Sequence, residues 1–245
     1  MPNVGIFTVL HIVLAGVLIE CNKTNMAQQN EQENRYRTRR EEMVYQQIAA
    51  RGIKDDRVLQ AMLTIPRHKF VPNTYLDYAY DDGPLPIGSD QTISQPYIVA
   101  LMTDRLRLRG TERVLEIGSG SGYQAAVLSL LAKEVYTIEI VHSLHLRAKR
   151  TIEELGIKNV FLKSGDGYRG WPEHAPFDAI MLTAAPREIP RPLLDQLNDP
   201  GILILPQGED LQELVLVEKR DGRISRQIIE YVRFVPMTGE AQRRR

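Results

Sequence analysis

Residues Arg113–Ile140 read RVLEIGSGSGYQAAVLSLLAKEVYTIEI. A short apolar run, RVLEI, meets three glycines at alternate positions, Gly118, Gly120 and Gly122. A helix-like segment, YQAAVLSLLA, follows, and a second apolar run closes on the acid Glu139. This order predicts strand, tight turn, helix, strand. In a doubly wound sheet such a turn lies at the carboxyl ends of the strands, where ligands bind. Glycines let the chain turn and let a ligand approach without Cβ interference. A carboxylate about twenty residues on is placed to accept hydrogen bonds from ribose hydroxyls, which points to an adenosine-containing cofactor. The dinucleotide fingerprint is G-x-G-x-x-G, whereas here the run is G-x-G-x-G and position 123 is Tyr. Tyr123 suits a loop wrapped around a smaller ligand without a pyrophosphate.

Downstream the pattern repeats. VFLKSGD, FDAIMLTAA and GILILPQG read as strands, and HSLHLRAKRTIEELG and PRPLLDQLN as helices. Strands apolar on both faces and alternating with helices predict a mostly parallel sheet covered on two sides. ELVLVEK and IIEYVRFVPM have no helix between them. With the turn signal Asp221-Gly222 they predict an antiparallel hairpin at the sheet edge.

Upstream, EEMVYQQIAARGI and DRVLQAMLTI predict two short helices, the first stopped by Gly52, the second capped by Asp55 or Asp56 and ended by Pro66. They would form a cap on the sheet domain. The stretch 27–40, AQQNEQENRYRTRR, is polar and reads as a linker or a frayed helix start. Residues 75–96 are rich in Gly, Pro, Asp and Ser, and so long an aperiodic stretch predicts a ligand-facing loop.

The first 25 residues hold an apolar run about as long as a signal-peptide core, without positive charge ahead of it. Cys21 follows, but Glu20 stands where a lipoprotein site wants a small residue. Export or lipid anchoring on one hand, and a true start at Met26 on the other, are both readings of this segment. Lys plus Arg equals Asp plus Glu at 31 each, so no excess positive charge marks a nucleic-acid partner. One cysteine excludes an intramolecular disulfide framework and any multi-cysteine metal site. The five histidines are scattered; His142 and His145 share a helix face without a third ligand, and no metal site is expected.

The turn LEIGSGSGY resembles the first motif of class I S-adenosylmethionine-dependent methyltransferases, whose sheet also ends in an antiparallel strand. PRHKFVP, LPIGSDQTISQPYIVALMTDRL, GDGYRGWPEHAPFDAIMLTAAP, GILILPQG and VRFVP are similar, in that order, to bacterial protein-L-isoaspartate O-methyltransferases. The likeness runs from about Glu41 to Met237. Pro200, before Gly201, departs from it, since the family has a glycine there. The resemblance implies an α/β Rossmann-like fold, doubly wound, with a mostly parallel seven-stranded sheet, an antiparallel C-terminal strand and an N-terminal helical cap. The methyltransferase domain would span 41–240, with 26–40 as linker and 241–245 as a basic tail.

The activity implied is methyl transfer from S-adenosyl-L-methionine to the α-carboxylate of L-isoaspartyl residues in damaged proteins and peptides. A cytoplasmic monomer without a stable membrane partner is expected, unless residues 1–21 act as a signal. A carboxylate of pKa about 4 is ionised at neutral pH and needs no general base, and no His, Cys or Lys cluster suggests one. The resemblance makes Ser94 the active-site serine, with Thr92, Ile93 and Thr238 on the substrate side and Gln91 helping to close the loop. It assigns the cofactor to Glu116, Gly118, Ser119, Gly120, Gly122, Tyr123, Glu139, Asp166 and Gly167. Ser94 also reads as the N-cap of the helix that opens at Pro96. Trp171 and Tyr168 read either as flanks of an adenine pocket or as packing under a loop. The small residues of TAAP, 183–186, would leave room for a peptide. Three alternatives stay open: a class I methyltransferase of another nucleophile, a nicotinamide dehydrogenase lacking the third fingerprint glycine, and a non-catalytic cofactor-binding protein.

Overall fold

The computed structural model describes residues 26–243; the apolar segment with Cys21 lies outside the described residues. Seven strands form one sheet in the order β5-β4-β3-β6-β7-β8-β9. They are β3 (Arg113–Ile117), β4 (Glu134–Glu139), β5 (Val160–Ser164), β6 (Phe177–Leu182), β7 (Leu197–Gln207), β8 (Gln212–Arg220) and β9 (Arg223–Val232). The first five pair in parallel, with Leu115 opposite both Tyr136 and Ile180. β8 runs antiparallel to β7, and β9 to β8, which is the expected edge hairpin. Its turn uses Asp221 at φ 52° and Gly222 at φ 71°, and Asp199 accepts both of their N–H groups.

The period-2 geometry of strands splits the core in two. Val114, Val135, Ala179 and Met181 face the side covered by α3 (Pro96–Arg105), α4 (Tyr123–Ser129) and α5 (His142–Glu154). Leu115, Ile117, Ile138, Ile180 and Leu182 face α6 (Arg191–Gln196) and the turns before β6. α5 shows why one face of such a helix is buried: Leu144, Ala148, Thr151 and Ile152 fall at helical spacing, and the rest is polar.

Of the two readings of the polar stretch at 27–40, linker or helix start, the structure has the helix. Helix α1 covers 26–42 and tightens through a π turn, Met43–Ile48, and a 3-10 turn, Ala49–Arg51, before Gly52 at φ 97° stops it. Its few apolar contacts explain the weak signal, since Tyr36 alone stacks on buried His68 at 4.0 Å. α2 (Asp56–Thr64) is capped by Asp55, whose carboxylate accepts from the Arg57 N–H at 2.9 Å. Pro66 ends it by keeping Ile65 extended.

The stretch at 75–96 contains more order than a loop. A 3-10 turn at Asn73–Tyr78 leads into a small hairpin, β1 (Leu85–Gly88) and β2 (Gln91–Ile93). Its tip places Ser89 and Asp90 at φ 53° and 55°, a left-handed backbone that the sequence does not flag with the usual Asn-Gly. α3 then opens with Pro96 in its first turn and Gln95 at the N-cap, so Ser94 stands outside the helix and is not its cap.

Candidate active site

The chain turns from β3, β4 and β5 on one side to β6 on the other, and the switch point lies beside β3. At its carboxyl end a cavity of about 410 Å³ opens, within the ~300–1,000 Å³ typical of small-ligand sites. Its floor is the glycine turn. Gly118 and Ser119 both donate their N–H to the Ile138 carbonyl, at 2.8 and 3.3 Å, which ties the turn to β4. Gly118 has φ 99°, and a Cβ there would sit 2.5 Å from Thr183 Oγ1, so glycine is required by the approach of the loop that follows β6.

Thr92, Ile93, Ser94, Gly118, Ser119, Gly120, Tyr123, Glu139, Asp166, Gly167 and Thr238 all line this one cavity. Glu116 and Gly122 do not. Glu116 points under the turn with no exposure, accepting from the Thr137 hydroxyl, which in turn accepts from Ser119 Oγ at 2.6 Å. Its Oε1 has no partner. Burial pushes this carboxyl up to about 8; the Thr137 hydrogen bond pulls it back, and the nearby Glu139 raises it further. A Cβ on Gly122 would lie 3.1 Å from that of Ala148, so this glycine serves helix packing against α5. Tyr123 begins α4 but sends its ring into the core, edge-on to Phe70 and beside the Arg67 guanidinium, and burial raises its hydroxyl pKa. Arg67 itself is fully buried and lowered to about 10 by desolvation.

Glu139 is 4% exposed at the end of β4. Its two oxygens accept from Gly120 N at 2.7 Å and Val141 N at 2.8 Å, leaving one lone pair on each for a ligand hydroxyl. Asp166 caps the turn at Tyr168 N with Oδ1 and accepts from Glu240 N with Oδ2, at 2.9 and 2.7 Å. Trp171 and Tyr168 pack on the other side of the sheet, Trp171 edge-on to Tyr136, and do not flank the cavity. Sequence reasoning passed over Ser89 and Asp90 at the hairpin tip, Ser121 in the turn, and Val235–Met237. The last group is held at the site by hydrogen bonds between Ala185 and both Val235 and Met237. The signal for Ser89 and Asp90 was only their place inside a suspect loop.

The lining carries three carboxylates, Asp90, Glu139 and Asp166, and no Lys, Arg or His. That donor set fits a sulfonium cation bearing a nucleoside and opposes a pyrophosphate, which calls for cationic side chains or a ring of free N–H groups. His142 and His145 stack on the surface of α5, and no group of three potential metal ligands occurs among the described residues.

The switch-point cavity, its glycine turn and acids on two successive strand ends define a class I methyltransferase fold using S-adenosyl-L-methionine. The chain belongs to the protein-L-isoaspartate(D-aspartate) O-methyltransferase family, whose description matches residues 38–242. A protein-L-isoaspartate O-methyltransferase 2 from Shewanella sediminis is 56% identical over 209 residues, 84% of this chain and 86% of the relative. A solved protein-L-isoaspartate O-methyltransferase superposes with TM-score 0.76 at 34% identity, over 82% of this chain and 67% of that one. A Plasmodium falciparum chain described as the same enzyme, solved with S-adenosyl-L-homocysteine, gives TM-score 0.70 at 29% identity, over 83% and 98%. Membership establishes the reaction as methyl transfer from S-adenosylmethionine to isoaspartyl residues.

Proposed function

We propose that the cofactor's nucleoside lies against Glu139 and Gly120 with the hydrophobic pair Ile138 and Val141 around it, and that the acceptor enters from the far side of Ser94. The observation that carries this is a shared wall. Ser94, Thr92, Thr183 and Val235 line both the 410 Å³ cavity and a neighbouring groove of about 450 Å³. That groove runs past Arg51 and Gln95 along the end of β9. A polypeptide in the groove would present its isoaspartyl carboxylate at Ser94. The Ser94 hydroxyl has no protein partner among the described residues, so its O–H is available to donate to one carboxylate oxygen.

When bound, the cofactor supplies an electrophilic methyl carbon on a cationic sulfur. The chain's own work is to align and to dry the site. A carboxylate held at Ser94 would take that methyl with cancellation of two opposite charges, the sulfur keeping the electron pair of the bond that is lost. No proton moves, which agrees with a lining free of basic side chains. A medium of low polarity favours such a charge-cancelling step, and orientation removes much of the entropic barrier. The apolar walls from Ile93, Val99, Ile117 and Ile138 supply the former, and the Ser94 loop the latter.

The reading favours a cytoplasmic monomer acting on isoaspartyl proteins and peptides, not nucleic acid. Among the described residues no helix is long and apolar enough to cross a membrane. The test is transfer of labelled methyl from S-adenosylmethionine to an isoaspartyl peptide and to its aspartyl twin. Transfer to the first alone is expected, and equal transfer to both would overturn the assignment of the groove.

A further inference from the structure

The last residues of the domain line the cavity together with the β1–β2 hairpin. Met237 and Thr238 line it, and Met237 is fixed by its N–H to the Ala185 carbonyl at 2.8 Å. The chain then turns at Gly239, φ 79°, directly on top of two other lining residues. A Cβ on Gly239 would lie 2.4 Å from Asp166 Oδ2 and 2.9 Å from Ile140 Cδ1. The next N–H, of Glu240, donates to that same Asp166 oxygen at 2.7 Å. The Glu240 carboxylate pairs with Arg169 Nε at 2.8 Å, with side-chain exposures of 17% and 74%. Beyond it α7 (Glu240–Arg243) begins, and Ala241 packs on the second core cluster.

Asp166 is thus as much an anchor for the C-terminal segment as a wall of the cavity. Its carboxylate joins points 74 residues apart in sequence. The Glu240 N–H on Asp166, the ion pair of Glu240 with exposed Arg169 and the close seat of Gly239 are contacts of a kind that is specific yet opens at modest cost.

We propose that Thr238–Glu240 is a strap latched across the cofactor crevice by Asp166 and Arg169, and that Gly239, Glu240 and Arg169 are positioning residues that govern how fast the spent cofactor leaves. The inference rests on the placement of the nucleoside beside Glu139 given above. With the strap seated, exit past Ile140 and Asp166 is covered; with it released, the edge of the crevice at the end of β5 opens. Release of the strap frees half-buried residues, 238–240, while Ala241 keeps its packing on the second core cluster.

The test uses the full chain preloaded with radiolabelled S-adenosylhomocysteine and chased with unlabelled compound. Glu240→Pro deletes the donor to Asp166 and the partner of Arg169 at a first-turn position that tolerates proline. It should speed dissociation by about tenfold, the scale of one charge-assisted hydrogen bond. Arg169→Ala, which removes an exposed ion pair alone, should speed it by no more than about fivefold. In both, KM for S-adenosylmethionine should rise while kcat is kept or raised, a split that a general loss of structure would not produce. Gly239→Ala provides a second route to the same unseated strap should Glu240→Pro fail to fold. Dissociation unchanged within twofold in whichever of these two folds, or slowed, would overturn the strap. Glu139→Ala is run beside them: if it weakens binding while the strap variants release normally, the strap alone is wrong, and if it does not, the placement of the nucleoside is wrong.

Discussion

Glu116→Gln is the substitution whose sign and size follow most directly from the structure. The Glu116 carboxyl has no exposure, one hydrogen bond from Thr137 and, among the described residues, an unpartnered Oε1. Burial raises it from an ordinary 4.5 to about 8. Between those two values the folded chain holds a proton at this site that the unfolded chain has released. Unfolding is therefore favoured as pH rises, by about 1.4 kcal/mol for each pH unit. The stability contributed by the protonated form is complete below about 4.5 and falls away until pH reaches about 8. At pH 7 the loss amounts to about 3 kcal/mol, and the slope ends near pH 8. Glutamine keeps an acceptor for the Thr137 hydroxyl and cannot ionise, so the variant escapes this slope. Its NH2 group takes the place of the orphan oxygen and is left without an acceptor, a cost that does not depend on pH. Urea unfolding of both proteins at pH 5, 7 and 8.5 should show the variant gaining on the parent by about 4 kcal/mol between pH 5 and the alkaline end. A difference between the two that stays constant across this range would refute the picture of a protonated Glu116.

Two further outcomes are expected. Ser94→Ala should lower kcat by about ten- to a hundredfold through loss of one hydrogen bond to a charged group, while leaving S-adenosylhomocysteine affinity in calorimetry within about twofold; equal losses in both would place Ser94 on the cofactor. Gly118→Ala combines a left-handed backbone at φ 99° with a contact 2.5 Å from Thr183 Oγ1. It should cost at least about 1–2 kcal/mol, lower the melting temperature by several degrees and weaken cofactor binding; a variant as stable as the parent would show that the turn relaxes freely.

Much of this protein was legible from local rules. The alternation of apolar strands and helices, the hairpin at Asp221-Gly222, the stop at Gly52 and the cap at Asp55 each depend on residues adjacent in sequence, and each is where those residues put it. The glycine turn and Glu139 were legible for the same reason, since the distance from one strand end to the next is set by a strand, a turn and a helix of ordinary length. The resemblance to a known family drew Ser94, Thr92 and Thr238 into the reading, residues whose types alone announce no chemistry.

What the amino-acid order by itself determined is the doubly wound sheet and the residues that reach its crevice, because backbone conformation and the side-chain period are properties of short segments. Only the tertiary structure decided which neighbours serve which task. Glu116 and Gly118 are two positions apart, yet β3 ends between them at Ile117, so the one is buried beneath the turn and the other, in the turn itself, joins the cavity wall. Gly122 looked like a ligand glycine and answers instead to Ala148 on another helix. Trp171 lies on the far side of the sheet, Ser94 falls where two cavities share a wall, and Asp166 meets Glu240 across 74 residues. Such pairings arise from the packing of distant elements, and nothing in the stretches that form them carries the distance between them.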